Sequence, residues 1–265
     1  YTLTGDINSG ATRGIQILTS TNTTINLTGN ITAANVGVEF RQSNVSSITT
    51  NIIGNISTSG DGSYGYFVWR SGDNTINHTG NISTTGEAIG IYIAGDNVGN
   101  RNTVNWIGNY TSTDADASAI FLWDTTENNI TMTGDVTTTG ANRSGLIRTD
   151  NADNNTMSFT GNIRTEGANS PAILLGIDSD NNTINVTGNI TTTGNNSSGL
   201  DLSASDSNNI TINGDITTSS TGGSGEPIRF TSADLNTITL SGAAHSIGGD
   251  QAISLDTNSQ SNTFV

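Results

Sequence analysis

One short phrase recurs along the whole chain. TINVTGNITTTG (183–194) has near copies at 24–32 and 75–86. Each copy is built around a glycine, and the ten equivalent glycines follow one another at intervals of 24 to 28 residues: Gly5, Gly29, Gly54, Gly80, Gly108, Gly134, Gly161, Gly188, Gly214 and Gly242. A period of this length predicts a solenoid, because a unit of this size buries its apolar face only by stacking on its neighbours.

Each repeat carries three short apolar patterns. Apolar residues stand four and two positions before most of the glycines, as Ile184 and Val186 do before Gly188, and another stands two positions after. This alternation predicts a strand with one buried face, followed by a second short strand. The third pattern, as in residues 199–202, alternates in the same way and ends in an Asp- and Asn-rich turn. We therefore expect a single all-β domain over residues 1–265, a parallel β-helix (β-solenoid) of about ten coils of three short strands.

The amino-acid composition limits the kinds of partner that this chain can bind. Lysine and cysteine are absent, and the net charge is −15. Such a surface repels nucleic acid and anionic membranes, so we expect neither as a partner. No apolar run has the roughly 18 residues of a membrane span, so we expect no membrane insertion. Only 32% of the residues are hydrophobic, which is enough for the thin core of stacked coils.

The repeated phrase resembles the tandem units of bacterial autotransporter passenger regions and related surface adhesins. The resemblance runs from YTLTGDI (1–7) to SNTFV (261–265). It implies a right-handed β-helix that is extracellular or displayed at the cell surface. We therefore expect a non-enzymatic stalk, adhesin or filament subunit.

The third strand suggests a contact surface. Its outward position is polar near both ends of the chain and apolar in the middle. The predicted contact stripe consists of Phe67, Trp69, Tyr92, Phe121, Trp123, Ile147 and Leu174. A stripe of this length marks an interaction site on a soluble protein. Its partner would be a second copy, another part of a longer chain, or a glycan or protein of a host or cell surface. The alternative is that a local loop such as 96–100 covers it.

The first and last residues of the chain occupy equivalent positions in the repeat. Tyr1 occupies the column of Ile25, and Phe264 repeats that position. We expect either a segment cut from a longer array or copies that stack head to tail, an open contact that generates filaments. The predicted end-to-end contacts are Tyr1, Leu3, Ile253, Leu255 and Phe264.

Outward columns of Thr and Asn on the first strand leave a second function open, ice binding. Triplets such as Thr75–Asn77–Thr79 form a flat lattice of the kind that ice-binding solenoids present. The favoured interpretation is that these side chains form ladders that hold the register of an exposed sheet. A polysaccharide-binding or polysaccharide-degrading protein is a further alternative. N-x-[ST] sites recur both in these columns, as at Asn26 and Asn77, and in the turns after the glycines, as at Asn30 and Asn189, and their glycosylation stays open.

Residues for chemistry are few. The chain has two histidines, and His78 is predicted to lie in the core beside Trp106. Without a cluster of acids and bases on one face we expect no catalytic residue and no enzyme. Aspartates recur in the turn after the third strand, and they are predicted to satisfy the turn backbone: Asp73, Asp124, Asp150, Asp178, Asp180, Asp206 and Asp234. Weak calcium binding there is the alternative; otherwise we expect no metal site and no cofactor.

Overall fold

A computed structural model describes residues 1–10, 12–41, 46–86, 88–95, 101–142, 145–219, 225–247 and 251–265. Within these ranges the chain is all-β and contains no helix. Three parallel sheets form a β-solenoid of about nine turns. The predicted repeat architecture of three short strands per coil is thereby confirmed. The loop at 96–100, which was one explanation for a covered stripe, lies outside the described residues.

Every coil contributes one strand to each sheet. The first sheet contains Thr2–Thr4, Thr24–Thr28, Thr49–Ile53, Thr75–Thr79, Thr103–Ile107, Asn129–Thr133, Thr156–Thr160, Thr183–Thr187, Asn209–Asn213, Thr237–Leu240 and Thr263–Phe264. The second sheet contains Ile7–Ser9, Ile31–Ala33, Ile56–Thr58, Ile82–Thr84, Tyr110–Ser112, Val136–Thr138, Ile163–Thr165, Ile190–Thr192, Ile216–Thr218 and Ala244–Ser246. The third sheet contains Arg13–Ile17, Val36–Arg41, Ser63–Trp69, Ala88–Ala94, Ser118–Thr126, Ile147–Asp153, Ile173–Leu175, Leu200–Ser203, Ile228–Thr231 and Ile253–Leu255.

Parallel pairing aligns equivalent residues of successive coils. Ile76 lies opposite Val104, and His78 lies opposite Trp106. All four side chains are buried, whereas the alternate residues of these strands face outward. The core is therefore a column of inward side chains from three sheets, which confirms the phase predicted for the first strand.

The repeated glycine occupies a turn in which successive coils nearly touch. Gly188 has a φ of +138°, and a Cβ atom there would lie 1.8 Å from the carbonyl oxygen of Gly161. Only glycine combines this backbone conformation with so close an approach. The next residue, Asn189, accepts a hydrogen bond at Oδ1 from the backbone N–H of Asp215 at 3.0 Å. The Thr-Gly-Asn phrase thus has a structural cause that does not depend on sugar attachment.

A buried asparagine ladder, which our sequence analysis missed, runs beside the first sheet. Its seven fully buried members are Asn74, Asn102, Asn128, Asn155, Asn182, Asn208 and Asn236. Each Oδ1 accepts a hydrogen bond from a backbone N–H one coil earlier; the bond from Asn155 to Asn182 is 2.9 Å long. All seven stand six positions before a repeat glycine. That spacing was the available signal, and the buried turn backbone explains it because an unpaired N–H there is costly.

The prediction that Ile147 faces outward is wrong. The structure pairs Ile147 with Ile120 and pairs Arg148 with Phe121. Ile147 is therefore in the core, and Arg148 takes the outward position. An outward Ile147 would place the Arg148 guanidinium inside the apolar column, where an unpaired charge is strongly unfavourable, so the register shifts by one residue.

The terminal strands carry the apolar residues predicted to make end-to-end contacts. Phe264 lies opposite Ile238, which confirms its predicted phase. Tyr1, Leu3, Leu255 and Phe264 are exposed, and Ile253 is half-buried. Their role in stacking one copy on another stays a prediction.

Candidate functional site

The outward column of the third sheet contains the candidate site. Parallel pairing aligns one outward residue from each coil, about 4.8 Å apart along the solenoid. The column, which we call the third face, reads Gln16, Glu39, Phe67, Tyr92, Phe121, Arg148, Leu174, Asp201, Arg229 and Ser254. Its middle is aromatic, and its later part is charged.

Six aromatic side chains form an aromatic ladder on this face: Tyr64, Phe67, Trp69, Tyr92, Phe121 and Trp123. The ring centroids of Phe67 and Tyr92 are 5.4 Å apart, and those of Tyr92 and Phe121 are 4.8 Å apart with planes 3° from parallel. The ring centroids of Trp69 and Trp123 are 6.1 Å apart. Ala94, whose side chain is small, lies between these two residues in the strand register. These contacts confirm that the aromatic residues share one face.

Tyr64 was absent from the predicted stripe. Its ring centroid lies 5.0 Å from that of Phe67 and 5.3 Å from that of Tyr92. It stands before the small residue Gly65, which breaks the simple alternation of the third strand. The aromatic residue was visible in the sequence, but its outward direction depended on a break in the alternation, since Gly65 and Tyr66 are both buried.

Ring faces in the ladder cover one another. Phe121 is stacked on Tyr92, and the Arg148 guanidinium lies 4.2 Å from the Phe121 ring centroid on a cation–π contact. Phe121 is consequently only 8% exposed, while Phe67 and Tyr92 are half-buried. Burial and then the nearby charges raise the pKa of the Tyr92 hydroxyl, which therefore stays protonated at neutral pH. Stacking covers the ring faces of Tyr92 and Phe121, and the role of the ladder as a contact stripe stays a prediction.

A charged groove follows the aromatic ladder along the third face. It has a volume of about 560 Å³, and its floor is formed by Arg148, Leu174, Asp201 and Arg229. Asn142, Asn169 and Asn196 line it from the segments that precede the strands, and Asp150, Gly176 and Ser203, each two residues after the column, complete its polar lining. The groove brings together Leu174 of the predicted stripe, Asp150 of the predicted turn aspartates, and three charged residues that were assigned no role, Arg148, Asp201 and Arg229.

Both arginines of the groove are paired with carboxylates. Arg148 Nη2 donates to Asp150 Oδ2 at 2.5 Å. Arg229 forms a bidentate pair with Asp201, whose oxygen Oδ1 lies 3.1 Å from Arg229 Nε. Burial opposes the charge on Arg229, but the hydrogen bond and the charge of Asp201 raise its pKa. The groove therefore presents donors and acceptors side by side with little net charge.

The outward asparagine side chains of the first sheet form hydrogen bonds with one another. Asn51 Nδ2 donates to Asn26 Oδ1 at 2.7 Å, and Asn77 and Asn105 continue the series at 2.8 Å. This is the side-chain ladder that we favoured for the Thr and Asn columns. Ice binding stays a prediction that a thermal-hysteresis measurement would test.

The turn aspartates also form a ladder. Asp206 N–H donates to Asp180 Oδ1 at 2.7 Å, and Asp234 N–H donates to Asp206 Oδ1 at the same distance. For these residues the prediction that turn carboxylates satisfy the backbone is confirmed. Across the described ranges, no group of three or more His, Asp or Glu side chains is arranged to hold a metal ion. Calcium binding stays a prediction.

Burial and neighbouring carboxylates raise the pKa of Asp180. Burial and then the charges of Asp153, Asp206 and Asp178 raise its pKa above 3.8, against the effect of the Asp206 N–H. A raised carboxyl pKa stabilises the fold at low pH, and this stabilisation is lost as the pH rises through the folded-state pKa. We expect Asp180→Asn, which keeps the acceptor oxygen, to raise Tm by a degree or so at pH 7 and to change it little below pH 3.

The control for this prediction is Asp6→Asn. Asp6 also accepts a backbone N–H, from Asn30 at 2.7 Å, but its partner in the column is an amide. Thermal unfolding of both variants between pH 3 and 7 separates the two cases. A lower Tm for Asp180→Asn at pH 7 would contradict the prediction.

His78 lies in the core, as predicted. It is 1% exposed, its Nδ1 lies 3.2 Å from the Tyr66 hydroxyl, and its ring packs against Trp106. Burial lowers the pKa of His78 to about 4, against hydrogen bonds that favour the cation. The ring is therefore neutral at pH 7 and serves the packing of the core.

Comparison with known proteins assigns no family. No protein-family model matches the chain, and neither a curated protein nor a solved structure matches it. Among the described residues no helix is long and apolar enough to cross a membrane.

Proposed function

We propose that this chain is a non-enzymatic, extracellular stalk or adhesin, a right-handed β-helix of ten coils that presents its third face to a partner. The observation that carries the proposal is the unbroken parallel pairing of the described strands in all three sheets. Backbone pairing, reinforced by stacked Asn, Asp and aromatic side chains, makes a stiff spacer from few apolar residues. Right-handed winding is supported by the general rule that connections between parallel strands of one sheet are nearly always right-handed.

The groups available for acid–base chemistry support the non-enzymatic part. His78 is buried and bonded to Tyr66. The groove carboxylates Asp150 and Asp201 are both held by arginine. General acid–base catalysis requires a group that can reach the substrate, and these groups are already engaged in contacts within the fold.

Two kinds of partner follow from the surfaces. Exposed Tyr1, Leu3, Leu255 and Phe264 on the terminal strands favour head-to-tail association with another copy. The third face favours lateral association or a glycan or protein at a cell surface. Electron microscopy of the purified chain tests the first of these, because ten coils spaced by about 4.8 Å give a rod near 45 Å long.

We expect negative-stain images of stiff rods, and filaments with an axial repeat of about 45 Å if copies stack end to end. Leu255→Asp with Phe264→Asp should abolish such filaments. Ile107→Asp is the matched control, because Ile107 is also an exposed apolar residue, on the first sheet and away from the ends. Compact particles without a rod shape would overturn the stalk, and filaments that persist in the end variant would overturn stacking.

A further inference from the structure

We infer that the charged groove of the third face binds a neutral polysaccharide that lies along the solenoid axis. The inference rests on the proposed adhesive function and names the ligand of its contact surface. Leu174 lies at the centre of the floor, between Arg148 and the Asp201–Arg229 pair. The groove volume of about 560 Å³ falls within the roughly 300–1,000 Å³ of ligand sites in proteins.

The polar groups of the groove match sugar hydroxyls. A sugar hydroxyl donates one hydrogen bond and accepts others, and adjacent hydroxyls on a ring require a donor and an acceptor close together. Arginine supplies only donors and an ionised carboxylate only acceptors, so an Arg–Asp pair offers both. The groove holds two Arg–Asp pairs: Arg148–Asp150 is partly exposed at both partners, whereas Asp201 is only 5% exposed, so Arg229–Asp201 offers mainly donors. The amide of Asn169 donates to Asn142 and accepts from Asn196, and it retains one further donor and one further acceptor position.

The spacing of the floor favours a glycan over a peptide. Floor residues recur once per coil, about every 4.8 Å, and this is close to the length of one residue in an extended β-linked glycan. Side chains on one face of an extended peptide recur about every 6.6 Å, which falls out of step with the coils. The floor from Arg148 to Arg229 covers four coils, a span of about 14 Å, or roughly three sugar residues.

The charges of the groove and of the whole protein favour a neutral polysaccharide over an acidic one. Arg148 and Arg229 are each neutralised by their own aspartate, and the protein as a whole carries a net charge of −15. An acidic polysaccharide would meet like charge at long range and already paired cations at short range. Leu174 adds an apolar surface for the C–H face of a sugar ring. Ring faces of Tyr92 and Phe121 are covered, so aromatic stacking has no part in the inference.

The test is titration calorimetry of the full chain with hexasaccharides. The neutral probes are β-linked glucose, mannose and galactose hexamers, and the acidic probe is a galacturonate hexamer. We expect at least one neutral hexamer to bind and the acidic hexamer to bind at least tenfold more weakly. Equal or stronger binding of the acidic hexamer, or no binding of any neutral hexamer at millimolar concentration, would overturn the inference.

Leu174→Asp places a charge on the floor and should weaken neutral binding at least tenfold. The next coil carries Asp201 at the same outward position, so the fold accommodates this residue type. Thr191→Asp is the matched control on the outward side of the second sheet. Circular dichroism verifies that both variants fold. Unchanged affinity in Leu174→Asp would place any sugar site outside the groove.

The experiment also separates this inference from the stalk proposal. Rods that bind no sugar retain the stalk and exclude the groove as a glycan site. Binding with release of new reducing ends would keep the groove and overturn the non-enzymatic assignment. Each result therefore bears on one of the two proposals.

Discussion

Asn182→Ala is expected to lower the free energy of unfolding by about 3–5 kcal/mol, because it leaves several buried polar groups without partners. Asn182 Oδ1 accepts from both the N–H and the Nδ2 of Asn155, at 2.9 and 3.1 Å. Its own Nδ2 donates to the Ala152 carbonyl at 2.8 Å. Asn182 is fully buried, so water does not replace these bonds. Chemical denaturation followed by circular dichroism measures the loss.

Asn77→Ala provides the control for the asparagine ladder. Asn77 also makes two side-chain hydrogen bonds to neighbouring asparagines, at 2.8 Å, but it is only half-buried on the outer side of the first sheet. Water can satisfy the groups that this substitution exposes, so the expected loss is about 1 kcal/mol or less. Equal losses in the two variants would mean that burial of the inner ladder contributes nothing to stability.

Gly161→Ala is expected to have the larger effect and to leave little folded protein at 37 °C. An added Cβ would lie 2.0 Å from the carbonyl oxygen of Gly134, and the φ of Gly161 is +148°. The contact is with backbone that is fixed by the coil below, so the two coils must separate locally and break their pairing. We expect a loss above about 4 kcal/mol, in the range reserved for severe core defects. Thermal unfolding and the yield of soluble protein are the measurements.

Gly5→Ala isolates the conformational part of this effect. Gly5 occupies the same column with a φ of +119°, but no other atom lies within 4 Å of an added Cβ. Its substitution should therefore cost only the strained backbone conformation, about 1–3 kcal/mol. If Gly161→Ala were no worse than Gly5→Ala, the close approach of successive coils would not be the reason for the repeated glycine.

These variants bear on function through the register of the coils. The glycine column and the buried asparagines fix how each coil sits on the next, and a slip of one residue would exchange the inner and outer faces. The charged groove requires Arg148, Leu174 and Asp201 to stay aligned over three coils. We therefore expect destabilised ladder variants to lose the sugar binding proposed for the charged groove without any change to its residues.

The amino-acid sequence by itself determined the period, the three strands of each coil and the inward phase of the first two strands. It could do so because these features are local: a glycine turn and an alternation of apolar residues recur within each unit of about 26 residues. The phase of Phe264 and the burial of His78 followed from the same pattern.

Only the tertiary structure decided the rest. It moved Ile147 inward, placed Arg148 over Phe121, and revealed that the ring faces of the aromatic ladder cover one another. It also revealed that the asparagines before the strands of the first sheet form a buried ladder. The physical reason is that these features depend on which atoms meet between coils, some 26 residues apart in the chain. Spacing predicts which column a residue joins, but contact between columns decides what its side chain bonds and which surface remains for a partner.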